Sequence, residues 1–186
     1  NQSMRYIIAV LIVCTWIEPV FSQAVEVDSV IARLQRLILQ DSTNAEAYYN
    51  LGMAFVSKGN ANKAAEAYSR AIYHNPQYAE AYNALGFLYS QSNMYKNAIE
   101  LYKKALEVRP EYPSALNNLG MAYDASGDTR TALSYYYKAV EIDPEFFPAW
   151  GNMGFAYYNL GNPDSSLIAN GQAVELKPDF TQVYNN

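Results

Sequence analysis

At 186 residues the chain has room for one ordinary domain or a short array of repeats, and its 51% apolar content supports a continuous core, which excludes a disordered polymer. A net charge of −5 and a pI near 4.9 argue against a basic face able to neutralise phosphate. Nucleic acid is therefore not an expected partner, and neither is an anionic lipid surface docked by charge alone.

The N-terminus has the order of a secretory signal. Met4-Arg5 supplies a start and a positive charge, with Asn1-Gln2-Ser3 ahead of it. Tyr6 to Ile17 is apolar apart from Thr15, Glu18-Pro19 breaks the run, and Val20-Phe21-Ser22 places small or modest residues before Gln23. Twelve helical residues cover about 18 Å, well short of a ~30 Å hydrocarbon core. Residues 1–22 are thus expected to be a cleaved signal peptide, with no integral membrane span afterwards and a secreted, periplasmic or extracellular destination. Cys14 is the only cysteine and lies in this segment. Val13 before it is too large for a lipoprotein box. Cleavage after Ser22 would leave no cysteine, so stability is expected to come from packing rather than disulfides.

Residues 23–44 are expected to hold a leading half-repeat. Val30, Leu34 and Leu37 follow the spacing of an apolar stripe that recurs further along, over a helix of residues 28 to 41 with Asp28 or Ser29 as N-cap.

From residue 45 onward the chain repeats itself every 34 residues. Leu51-Gly52, Leu85-Gly86, Leu119-Gly120 and Met153-Gly154 share one register, as do Phe55, Tyr89, Tyr123 and Tyr157. Ala64, Ala98 and Ala132 follow, then Tyr68, Tyr102 and Tyr136, then Ala71, Ala105, Ala139 and Ala173, and each unit closes on Pro76, Pro110, Pro144 or Pro178. Tyr82, Leu85, Gly86 and Tyr89 make the stripe of one helix, and Ala98, Leu101, Tyr102, Ala105 and Leu106 that of a second. Lys58-Gly59-Asn60, Ser92-Asn93-Met94, Ser126-Gly127-Asp128 and Leu160-Gly161-Asn162 are the turns, where Gly or Asn tolerates the left-handed conformation. The small residues at 52, 86, 120 and 154 let the two helices approach. The closing proline disfavours helix in the residue before it, so each second helix stops there.

This pattern, an aromatic, Leu-Gly, Tyr, then Ala, Phe/Tyr, Ala and Pro, resembles the tetratricopeptide repeat family, and the match covers residues 45 to 180. The resemblance implies an all-α solenoid of stacked helix-turn-helix units at 45–78, 79–112, 113–146 and 147–180. The fourth unit departs from the pattern, with Ser166 and Asn170 where Ala and Tyr belong. Of the 18 tyrosines, 12 fall on repeating positions and are read as structural. The residue two past each proline is aromatic (Tyr78, Tyr112, Phe146, Phe180) and is expected to wedge between successive units. Tyr49, Tyr73, Tyr135, Tyr137 and Tyr158 remain as candidate surface aromatics.

Residues 181–186 have the register of a new first helix, with Tyr184 at its aromatic position. A leading half-repeat and an incomplete trailing one could meet head to tail between chains, a contact that propagates as a filament unless it closes. Val30, Leu34, Leu37 and Tyr184 are the candidate residues for that self-assembly.

Nothing composes an active site. His74 precedes Asn75-Pro76 and reads as an exposed loop residue. There is no Gly-rich phosphate loop, no metal-ligand spacing and no nucleophile elbow, so no catalytic residue, metal or cofactor is expected. The family resemblance implies that first helices line a concave groove. Carried over, its candidate partner-binding residues are Tyr49, Asn50, Met53, Asn83, Phe87, Asn117, Asn118, Met121, Asn152, Phe155 and Tyr158, with Asp124 and Asn159 beside them. Asparagine can bond a ligand backbone through donor and acceptor alike, whereas Asn50, Asn118 and Asn152 could equally satisfy local backbone. None of these positions is basic, which disfavours the clamp that grips a terminal carboxylate. The expected function is protein–protein interaction outside the cytoplasm through an extended peptide or partner in the groove; the alternative is self-assembly into an extracellular filament.

Overall fold

The computed structural model describes residues 26–177. The signal segment 1–22 with Cys14, and Pro178, Phe180 and Tyr184 near the C-terminus, lie outside the described residues. Every regular element described is α-helical: α1 over 26–40, α2 Ala45–Ser57, α3 Ala61–His74, α4 Ala79–Gln91, α5 Tyr95–Val108, α6 Pro113–Ala125, α7 Thr129–Ile142, α8 Phe147–Asn159 and α9 Pro163–Leu176. They pair as antiparallel hairpins α2–α3, α4–α5, α6–α7 and α8–α9. This is the all-α, solenoid-type architecture that the period implied.

Local chemistry sets the helix ends. Asn60, Asp128 and Asn162 come from the turns and cap α3, α7 and α9, each side chain accepting from the backbone N–H three residues on (Lys63 at 3.1 Å, Thr131 at 3.1 Å, Ser165 at 3.2 Å). The first helices α4, α6 and α8 start differently. Their N-cap residues are Tyr78, Tyr112 and Phe146, which supply no cap hydrogen bond, and α6 and α8 have proline in the first turn, preset for helix. Asn75, Arg109 and Asp143, each before a proline, are extended (ψ 92, 93 and 92°) and end the second helices. The turns place Gly59, Gly127, Gly161 and Asn93 at positive φ, Asn93 at 59°.

The chain divides into two compact units, one ending at Pro76 and the other starting at Gln77. In the first, Ile31 and Leu34 of α1 join Leu51, Ala54 and Ala67 in a core flanked by Val27, Ile38 and Phe55. This corrects the register expected for the leading helix. Its buried face runs 27, 31, 34, 38, so of the expected stripe only Leu34 is inside, while Val30 and Leu37 are exposed. Spacings of 4, 3 and 4 define one helical face as well as the expected set did, and more apolar side chains share it. The N-cap assignment is corrected too: the helix is under way at residue 26, Asp28 instead pairs with Lys58 at 2.5 Å, and Ser29 Oγ donates to the Glu26 carbonyl at 2.7 Å. His74 is no loop residue. It ends α3, half-buried, stacked on Tyr48 at 5.3 Å with Tyr73 edge-on at 5.1 Å.

In the second unit three hairpins stack, with α5 on α6 and α7 on α8. Tyr102 is buried in a cluster with Ala98, Leu119 and Ala122, and Tyr136 in a second one with Leu116, Ala132, Ala139, Ala149 and Met153. Phe146 packs against the second of these clusters, as expected of an aromatic wedge. Inside each hairpin the small residue carries the joint: a Cβ on Gly86 would stand 2.8 Å from Tyr102 Cε1. In the fourth repeat the same space is taken by Asn170 against Gly154, and Ser166 Oγ donates to the Gly154 carbonyl at 2.8 Å. The two departures from the pattern are thus one local exchange of aromatic packing for hydrogen bonding.

Candidate functional site

All four first helices expose a large apolar side chain at one shared position of the period: Met53, Phe87, Met121 and Phe155 are 46, 42, 45 and 52% exposed. The stripe that buries Leu51, Leu85, Leu119 and Met153 turns this position outward, so it is spared from the hairpin core.

In the second unit the asparagines form rungs between successive first helices. Asn118 Nδ2 donates to Asn83 Oδ1 at 3.0 Å and Asn152 Nδ2 donates to Asn117 Oδ1 at 2.8 Å, each pair 35 residues apart. Asn118 and Asn152 thus each spend one amide donor on a side chain of a neighbouring helix, a partner that neither expected role named. Asn117 is corrected as a ligand contact: it is 5% exposed, with its amide also directed at Met121 Sδ at 3.5 Å, and it positions Asn152 rather than facing outward. Asn83, Asn118 and Asn152 are half-buried and keep spare amide donors or acceptors.

The structure brings Met121, Asn152 and Phe155 together around a cavity of about 420 Å³, completed by Asp124, Ala125, Thr129, Tyr136 and Asn159. Thr129 and Tyr136 come from the second helix α7 and had no groove position in the sequence reading. The one signal that could have found them is that Thr129 follows Asp124 across the turn, where its Oγ1 donates to Asp124 Oδ1 at 2.5 Å. Burial, and then the nearby Asp124 charge, push the Tyr136 phenol up. Of the other candidates, Phe87 and Tyr158 lie exposed on α4 and α8. Tyr49, Asn50 and Met53 belong to the first unit, where Tyr49 tilts against Tyr68 at 5.6 Å. Among the self-assembly candidates Leu34 is spent on the first unit's core and Val30 and Leu37 are exposed.

No Lys or Arg stands on α2, α4, α6 or α8, whose charges are Glu46, Glu80 and Asp124. Glu80 is matched by Arg109 at 2.5 Å. Among the described residues Asp124 forms no ion pair, no three His, Cys, Asp or Glu side chains converge on a possible metal position, and no helix is long and apolar enough to cross a membrane.

No curated protein matches the sequence significantly. In structure the chain is similar to a crystal structure of MamA (TM-score 0.73, 26% identity, covering 84% of this chain and 91% of that one). It is similar to YrrB, described as a TPR protein with an unusual peptide-binding site (TM-score 0.67, 25% identity, 85% and 81% covered). MamA from Desulfovibrio magneticus RS-1, at TM-score 0.73, 20% identity and 82% and 86% coverage, shares the fold. Family models of the TPR repeat match residues 52–93 and 89–127, and those of the tetratricopeptide repeat match 113–146 and 135–167. With matches running from residue 52 to residue 167 on hairpins of the same period, the chain belongs to the tetratricopeptide repeat family.

Proposed function

We propose that this protein is a non-catalytic interaction scaffold that takes an extended peptide or partner segment along its first helices, outside the cytoplasm. The observation that carries the reading is the exposed apolar position shared by Met53, Phe87, Met121 and Phe155, flanked in the second unit by the asparagine rungs. Aromatic and thioether surfaces adapt to apolar side chains, and the amides bond a peptide backbone. The absence of cations on these helices and the net charge of −5 speak against nucleic acid as the partner. The extracytoplasmic assignment rests on the signal-like order of residues 1–22. A photoreactive residue in place of Phe155 should cross-link a partner in native cells, while one in place of Glu141 on α7 should not. Equal yields at the two positions would defeat the reading.

Self-assembly remains the second reading, favoured by α9. Leu167 and Ile168 are 76 and 68% exposed, and Ile168 stands at the position held by Glu66, Glu100 and Ser134 in the other repeats. If chains associate through this face, Ile168→Glu should abolish concentration-dependent growth in sedimentation velocity. A wild-type chain that stays monomeric at high concentration removes this reading.

A further inference from the structure

Resting on the groove reading, we infer that the cavity between α6, α7 and α8 is a specificity pocket for a Lys or Arg side chain of the bound peptide, with Asp124 as its counter-charge.

Three observations point the same way. Asp124 sits in the last turn of α6, where the helix carbonyls already concentrate negative charge, so this carboxylate opposes the helix dipole. Its neighbour Ala125 and Asn159 both line the cavity and end α6 and α8, so two carbonyl-rich helix termini border it. An acid in that place is explained by a cation brought from elsewhere. No such cation comes from the described residues: Asp124 makes no ion pair, and the first helices contain neither Lys nor Arg. Glu80, on α4, is matched by Arg109, which leaves Asp124 as the unmatched charge of the second unit's first helices.

The rest of the wall suits a long cationic side chain. Met121 and Phe155 lie at the cavity with exposed apolar surface for the aliphatic stem, and the Phe155 ring attracts a cation over its face. Thr129 Oγ1, donating to Asp124 Oδ1, fixes the carboxylate and leaves Oδ2 for the ligand. Asn152, held by Asn117, offers its carbonyl oxygen to the peptide backbone beside it. A volume of about 420 Å³ holds one such side chain with its neighbouring backbone and is small for a whole folded element.

The test is a bead-displayed library of random decapeptides selected on the full chain and, in parallel, on Asp124→Asn, which keeps an acceptor for Thr129. The wild type should enrich a single Lys or Arg next to apolar residues, and Asp124→Asn should lose that preference. The best selected peptide should bind Asp124→Asn about tenfold more weakly by fluorescence anisotropy, and added salt should weaken its binding to the wild type only. Selected peptides without a cation, or cationic ones that bind Asp124→Asn equally well, overturn this inference; if their binding still falls in Asn152→Ala or Phe155→Ala, the groove reading stands. No enrichment on the wild type, or binding that Met121→Ala, Asn152→Ala and Phe155→Ala all leave unchanged, overturns both.

Discussion

The ring of Tyr136 fills the space where a side chain on Gly120 would stand: a Cβ there would lie 2.5 Å from Tyr136 Cε1 and 3.1 Å from the Ala132 carbonyl oxygen. The glycine is required for closeness, not for an unusual backbone angle, because it sits inside α6. Gly120→Ala should therefore destabilise the chain by about 1–3 kcal/mol through overpacking. Gly171, in α9, has nothing within 4 Å of a built Cβ, and Gly171→Ala should stabilise by about 0.5–1 kcal/mol. Urea unfolding of the two variants separates them by sign. A neutral Gly120→Ala would mean that Tyr136 moves aside freely.

Removing one end of a rung has unequal effects. Asn117 is buried, so Asn152→Ala leaves its carbonyl oxygen without the 2.8 Å donor and should cost about 1–3 kcal/mol. Asn83 is half-buried and can turn to water, so Asn118→Ala should cost less. Thermal melts of both single variants check the order.

Asp128 caps α7, and hydrogen bonding from Thr131 holds its carboxyl below the usual range. A depressed folded pKa gives stability that is complete above the ordinary carboxylate value of about 3.9 and is lost as pH falls through the lower folded one. Asn is the native cap of α2, α3 and α9 and carries no titrating group. Asp128→Asn should thus leave Tm nearly unchanged at pH 7 and flatten its decline as pH falls below the ordinary carboxylate value of about 3.9. Parallel acid-side declines in variant and wild type would count against a titrating cap.

At the alkaline end the buried phenols act with the opposite sign. Burial raises Tyr102 and Tyr136 and, with Tyr49 beside it, pushes Tyr68 up to about 12. A raised folded pKa contributes stability that is present below the ordinary value near 10 and is lost as pH rises through the folded one. Absorbance at 295 nm should show exposed tyrosines ionising first and these three only with unfolding, and Tyr136→Phe should move the alkaline midpoint upward. Ionisation of every tyrosine near pH 10, with near-UV dichroism intact, would contradict their burial.

What the sequence made legible was whatever its period writes locally. The turns at Gly59, Asn93, Gly127 and Gly161, the stops before Pro76, Pro110 and Pro144 and the Gly–Tyr joints each need only one hairpin to be understood. The register of α1 was not legible, because a half-repeat lacks the glycine and aromatic that mark the others, and Val27, Ile31, Leu34 and Ile38 compete with the expected set on equal spacing. Nor were the asparagine rungs. They join neighbouring units and lie one residue off the period, so no comparison of equivalent positions pairs them. His74 was misplaced because α3 continues up to the extended residue before Pro76.

That offset of one residue bears on how such a chain can change in length. Because the partners stand 35 positions apart whichever units hold them, excising residues 113–146 would bring Asn152 into the place of Asn118, opposite Asn83. The bond would be remade from the survivors, and duplicating the same segment would add another of its kind. Gain or loss of whole units is therefore conservative for this interface, whereas a single inserted residue between Asn83 and Asn118 is not. The amide pairing acts as a proofreading mark on unit length, admitting copies in whole numbers and penalising slips within them.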